Sequence, residues 1–156
     1  MPTLPHFASR LPVLSYVLLA VYLVILAVRT HNDTTIALVI ASVVMFACCW
    51  ASATHLLGAR PALQFVLIAV SFGWFAEQMG SSRGWFFGHY TYTEVLGPRL
   101  GDVPLAIPLM WFALCLVGYV MACLMLWRAP VLTGPSFRSG LLTAWLAAMV
   151  VTAFDL

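Results

Sequence analysis

Residues 61–79 read Pro-Ala-Leu-Gln-Phe-Val-Leu-Ile-Ala-Val-Ser-Phe-Gly-Trp-Phe-Ala-Glu-Gln-Met, an apolar run with no charge before Glu77. About 20 apolar residues in helical form cross the ~30 Å hydrocarbon core of a bilayer, so this run reads as a membrane-spanning helix with an acid near its end. That acid needs a reason, because charge buried at a helix centre costs about 2.5–3.5 kcal/mol even on the lenient insertion scale. Catalysis, an ion pair with an arginine such as Arg83 or Arg99, and exposure at the interface are the three explanations open at this point.

Four further runs share this character. The first is Leu11–Val28, with Ser9 as a candidate N-cap and Pro12 in the first turn, where a missing N–H costs nothing. It is longer than the apolar core of a signal peptide, about 7–15 residues, and no small-x-small cleavage pattern follows it. The second runs from about Thr34 to Leu57, with Asp33 as N-cap and Gly58 suited to the C-terminal cap. A fourth extends from about Val103 to Trp127, with Asp102 as N-cap and Pro108 expected to kink the helix or loosen its first turn. After the turn Thr133-Gly134-Pro135-Ser136, a fifth begins near Phe137 and continues into Asp155-Leu156. A spanning helix normally leaves the membrane through a polar flank, so the chain is expected to be the N-terminal part of a longer domain.

Composition agrees. Of 156 residues, 63% are hydrophobic and 8% charged, against about 25% charged in soluble domains, and the mean hydropathy is +1.02. The expected fold class is all-α: a polytopic integral membrane helical bundle of about five transmembrane helices, forming a single transmembrane domain over residues 1–156. The net charge of +2 is too small and too scattered for nucleic-acid binding; membrane lipids are the expected surroundings. With the N-terminus inside, inner segments carry Arg10, Arg60, Arg128 and Arg138 and outer segments Arg29, Arg83 and Arg99, a slight positive-inside bias toward a cytoplasmic N-terminus. Cys48, Cys49, Cys115 and Cys123 all lie in apolar runs without metal-site spacing and read as packing residues. No metal site or organic cofactor is expected.

Between the third and fourth helices, residues 80–102 interleave glycines with Trp85, Phe86, Phe87, Tyr90 and Tyr92. Aromatics at a membrane boundary usually anchor a protein at the headgroups. Glycines at 80, 84 and 88 instead suggest a re-entrant or closely packed helical turn, tolerated only where protein covers it. Arg83, His89, Glu94, Arg99 and Asp102 are either solvated or the mouth of a site. On the third helix, Gly73, Glu77 and Gly80 share one face at i, i+4, i+7, bordered by Trp74. That face is either a tight helix–helix contact or a slot in which a slim apolar ligand lies against glycine backbone beside a carboxyl group.

The ordered set Glu77-x-x-Gly80, Gly84, Phe87-Gly88-x-Tyr90-x-Tyr92-Thr93, Leu96-Gly97-Pro98, Val103-Pro104, Pro108 and Trp111 resembles the carotenoid biosynthesis membrane proteins. These include hydratases that act on acyclic carotenoids such as lycopene derivatives and bisanhydrobacterioruberin. Thr152-Ala153-Phe154-Asp155-Leu156 is similar to the start of that family's second acidic motif. The resemblance implies an enzyme of a bacterial or archaeal cytoplasmic membrane. It would add water across the terminal C=C of an acyclic carotenoid end group to give a tertiary alcohol, with other carotenoid-biosynthesis enzymes as further partners.

Such chemistry calls for a carboxylic acid to protonate the alkene, a role for Glu77 or Asp155, and a base to hold water, a role for the other carboxylate or His89. Aromatic faces would shield the cation. Gly73, Trp74, Gly80, Arg83, Trp85, Phe86, Phe87, Tyr90, Tyr92, Arg99 and Trp111 make up the expected substrate site. Two rival readings remain: a non-catalytic carotenoid- or lipid-binding accessory protein, and a small transporter using Glu77 and Asp155 as proton-relay acids, against which the missing inverted repeat argues.

Overall fold

The computed structural model describes residues 10–28, 34–85, 88–134 and 136–154. Five α-helices account for nearly all of it: α1 (Leu11–Val28), α2 (Thr34–Leu57), α3 (Ala59–Arg83), α4 (Ala106–Trp127) and α5 (Phe137–Ala153). The all-α expectation holds. Among the described residues α2, α3 and α4 are long and apolar enough to cross a membrane. The 18 residues of α1 and 17 of α5 reach about 27 and about 26 Å at about 1.5 Å per residue, close to the hydrocarbon thickness. Large apolar side chains point outward along these helices, Phe72 being 72% exposed. Such a surface suits lipid and not water, and the protein is an integral membrane protein.

Hydropathy placed the helices well and their ends less well. α3 continues past Met79 through polar residues to Arg83, where Gly84 takes a left-handed φ of 69° and ends it. The amides of Gly84 and Trp85 fold back to the carbonyls of Gly80 and Met79 at 2.8 and 3.2 Å, satisfying acceptors left over by the helix end.

α4 starts at Ala106, three residues later than the sequence suggested, because Val103–Pro104 (β2) pairs antiparallel with Arg99–Leu100 (β1) around Gly101-Asp102. Asp102 therefore caps no helix. Its backbone N–H donates to Gln78 Oε1 at 2.9 Å and its Oδ2 accepts from Gln78 Nε2 at 2.7 Å. Pro108 falls in the first turn of α4, where a proline removes no intrahelical bond, so the expected kink is not needed. The closely packed helical turn that the glycine spacing suggested is the last turn of α3, with Gly80 under Tyr90 and Gly84 under His89, and residues 88–105 then hold one 3₁₀ turn, Glu94–Leu96, and the hairpin.

Two compact units divide after Phe112. In the first, α1 packs along α2 and α2 against α3, with Ser52 donating to Ser15 Oγ at 3.1 Å across the α1–α2 contact. Phe112 is fully buried, edge-on to Phe46 and Phe65 at centroid distances of 5.4 and 5.9 Å. In the second, the remainder of α4 meets α5 where Gly118 lies under Ala147 and Val151. Trp127 Nε1 donates to the buried Thr143 Oγ1 at 2.9 Å. A Ser136–Ser139 capping box opens α5.

Candidate active site

Glu77 is 8% exposed, on the face of α3 that also carries Gly73 and Gly80. Its two oxygens are treated differently. Oε1 accepts from the indole N–H of Trp111, on α4, at 2.7 Å. Oε2 accepts from the hydroxyl of Tyr92 at 2.5 Å and from that of Tyr90. The Tyr90 hydroxyl also lies 3.3 Å from the Glu77 carbonyl, and the two tyrosine rings meet edge-on at 5.4 Å. Burial first, then the bond to Glu77 and its charge, and then Tyr90, push the Tyr92 phenol well above its usual range. A buried carboxyl is thus held by three neutral donors from two other parts of the chain, which is how a buried polar group avoids its desolvation penalty.

The glycines allow this. A Cβ on Gly73 would sit 2.7 Å from Cβ and Cγ of Trp111, and one on Gly80 would sit 2.6 Å from the Tyr90 hydroxyl. The glycine face is therefore filled by the protein's own aromatic side chains, which is the tight contact of the two alternatives open in the sequence. Apolar space lies beside it: a cavity of about 660 Å³ between α3 and the start of α4, lined by Val70, Trp74, Phe75, Leu100, Leu105 and Pro108 among others. Its rim residues Phe75, Leu100 and Leu105 are exposed. Trp74 closes one side by donating from its indole to the Leu100 carbonyl at 3.1 Å. Trp74 and Pro108 each stand three residues from Glu77 and Trp111 respectively, about 4.5 Å of helix rise.

The other expected residues fall elsewhere. Arg99 bonds the Glu94 carboxylate at 3.0 Å and the Tyr92 carbonyl at 2.7 Å, and the Arg83 guanidinium lies 5.8 Å from the Trp85 ring centroid. Both bonds and that stacking leave Glu77 to its neutral donors, so the ion-pair explanation is replaced. His89 is exposed and packs its ring against Gly84 at the end of α3. Asp155, Phe86 and Phe87 lie outside the described residues, as do Ser9 and Asp33. Among the described residues, no three His, Cys, Asp or Glu side chains group to hold a metal ion.

Sequence reasoning singled out Tyr90, Tyr92 and Trp111 for their aromatic faces and missed their polar atoms. One signal was present: residues two apart on an extended strand point the same way, so Tyr90-x-Tyr92 can present both hydroxyls to one acceptor. Gln78, whose amide joins α3 to the hairpin, was missed altogether. An amide beside Glu77 carries no signal of its own.

The sequence profile of the family described as carotenoid biosynthesis protein matches residues 33–156. A bisanhydrobacterioruberin hydratase of Haloarcula japonica is 37% identical over 76 residues, covering 48% of this chain and 26% of that protein. No solved structure matches.

Proposed function

Because the chain belongs to the carotenoid biosynthesis protein family, we propose that it hydrates the terminal C=C of an acyclic carotenoid, with Glu77 as the acid. The aligned stretch spans only about a quarter of the hydratase it matches, so the activity is argued from the site. The observation that carries it is a buried carboxyl with three donors, one helical turn from an apolar cavity. Its volume of about 660 Å³ lies within the range usual for small-molecule sites.

The cavity takes the end section of the polyene, and its open rim lets the rest continue into lipid. A proton supplied from Glu77 goes to the CH carbon of the terminal double bond, whose electron pair forms the new C–H bond. The charge is left on the tertiary carbon. The face of Trp74, which lines the cavity, stabilises that cation by about 0.5–2 kcal/mol. Water then bonds to the tertiary carbon, and the carboxylate left on Glu77 takes the proton released. Nothing is oxidised or reduced, so the reaction balances with water alone.

A non-catalytic reading has one observation of its own. The three bonds to Glu77 also tie α3 to the following segment and to α4, which is what a structural staple does. Pigment analysis in a lycopene-producing host separates the two. Glu77→Gln should lower the yield of the pigment heavier by one water at least about 100-fold, the lower end of what a general acid contributes, with the variant still in the membrane. If the unmutated chain is present and makes no hydrated pigment from lycopene or another acyclic carotenoid, the binding reading takes over.

A further inference from the structure

Taking Glu77 as the acid of the proposed hydration, we propose that Trp111 is a positioning residue that confines the reactive proton to Oε2 of Glu77, with the paired phenols of Tyr90 and Tyr92 as its exit. An indole N–H donates and cannot accept. Its 2.7 Å bond to Oε1 therefore holds that oxygen as an acceptor whether Glu77 is charged or neutral. The carbonyl oxygen of a neutral carboxyl is its better acceptor, so with the indole on Oε1 the proton of a neutral Glu77 goes to Oε2. The neighbours of Oε2 are two hydroxyls, and a hydroxyl both donates and accepts. One phenol can turn to receive the proton while passing its own onward. Packing keeps Trp111 from swinging away, because its Cβ and Cγ are seated on Gly73.

Among the described residues, the groups bonded to this carboxyl from α4 and from the segment after α3 are these three neutral side chains. Of the charged residues in this part of the chain, Arg99 bonds Glu94, Asp102 bonds Gln78 and Arg83 lies over Trp85.

The Oε2–H bond breaks as a new O–H bond forms on the phenol. The phenol's original O–H bond breaks as the alkene electron pair forms the C–H bond, leaving a tertiary cation and the Glu77 carboxylate. Water adds to the cation, and its proton returns through the phenol to Oε2. The two transfers are concerted, because a free phenolate at this buried hydroxyl would carry the desolvation cost of an unpaired charge.

Difference infrared spectroscopy of the protein in lipid nanodiscs, titrated from alkaline to acid pH, reads this directly. Glu77→Gln identifies the carbonyl band of protonated Glu77 by deleting it. Trp111→Phe keeps a ring on Gly73 but removes the donor from Oε1, so the band should shift to higher wavenumber. Tyr92→Phe, which acts on Oε2, should shift it less. A band that Trp111→Phe leaves in place, or that Tyr92→Phe moves further, overturns the assignment of the proton to Oε2 while leaving Glu77 as the acid. No such band at any pH overturns both. Should Trp111→Phe fail to fold, ¹⁵N-indole NMR of the unmutated protein decides. The Trp111 N–H resonance should stay hydrogen-bonded throughout the titration in which the band appears, and its release on protonation would sink the proposal.

Discussion

At the scale of single residues, the site rests on atoms that hydropathy cannot see. Glu77 stands out in the sequence as the one charge in an apolar run, and its face with Gly73 and Gly80 follows from helical spacing. Its partners lie 13, 15 and 34 residues away, and the sequence, with Arg83 and Arg99 close by, leaves an ion pair open beside catalysis and exposure. Neutral donors won because they satisfy a buried carboxyl without burying a second charge, which is the costlier arrangement.

Tyr92 gives this a pH signature. A free phenol ionises near pH 10, whereas burial and the Glu77 carboxylate keep the folded one neutral to higher pH. Its contribution to stability is fully present below about pH 10 and is lost as the pH rises from there toward the folded value. Alkaline unfolding followed by circular dichroism should show this loss, and Tyr92→Phe should flatten it. Gly73→Ala should act through Trp111. A Cβ 2.7 Å from that side chain overpacks the contact, at a cost of about 1–3 kcal/mol, and displaces the indole from Glu77. Melting temperature and hydrated-pigment yield should fall together, and a variant with normal yield would show that the indole position does not matter.

At the scale of elements, the boundaries of α1 and α2 were legible because the apolar runs end in turn residues. The end of α3 was not, since a helix stops where its backbone is capped and not where its hydropathy falls; the decisive residue is Gly84. The start of α4 was misplaced because Asp102 looks like an N-cap. Leu100-Gly101-Asp102-Val103 is also a two-residue hairpin loop with glycine in its first central position, a turn type that suits paired strands. The carboxylate went to Gln78 instead. That reciprocal pair pins the hairpin onto α3, and Leu100 lines the cavity as a result. Gln78→Leu should free it. Hydrogen exchange at the Asp102 amide should accelerate, while exchange in the core of α3 stays slow. Unchanged protection of that amide would mean the strand pairing alone holds the hairpin.

At the scale of the whole molecule, fold class was the most legible property, since 63% hydrophobic residues in long runs leave few alternatives to a helical membrane protein. What could not be read was where empty space would lie, because cavities depend on how side chains from distant segments fill or miss a face. The glycine face was filled and the neighbouring one left open. That open side has a kinetic meaning. Under the proposed hydration, a cavity rimmed by the exposed Phe75, Leu100 and Leu105 would admit the polyene sideways, from a solvent two molecules thick. The relevant concentration would then be the number of pigment molecules per lipid and not per litre. Diluting a fixed amount of protein and carotenoid with inert lipid should slow turnover in proportion, whereas adding buffer should leave it unchanged. An enzyme that answered to the volume of water would be drawing its substrate from somewhere else.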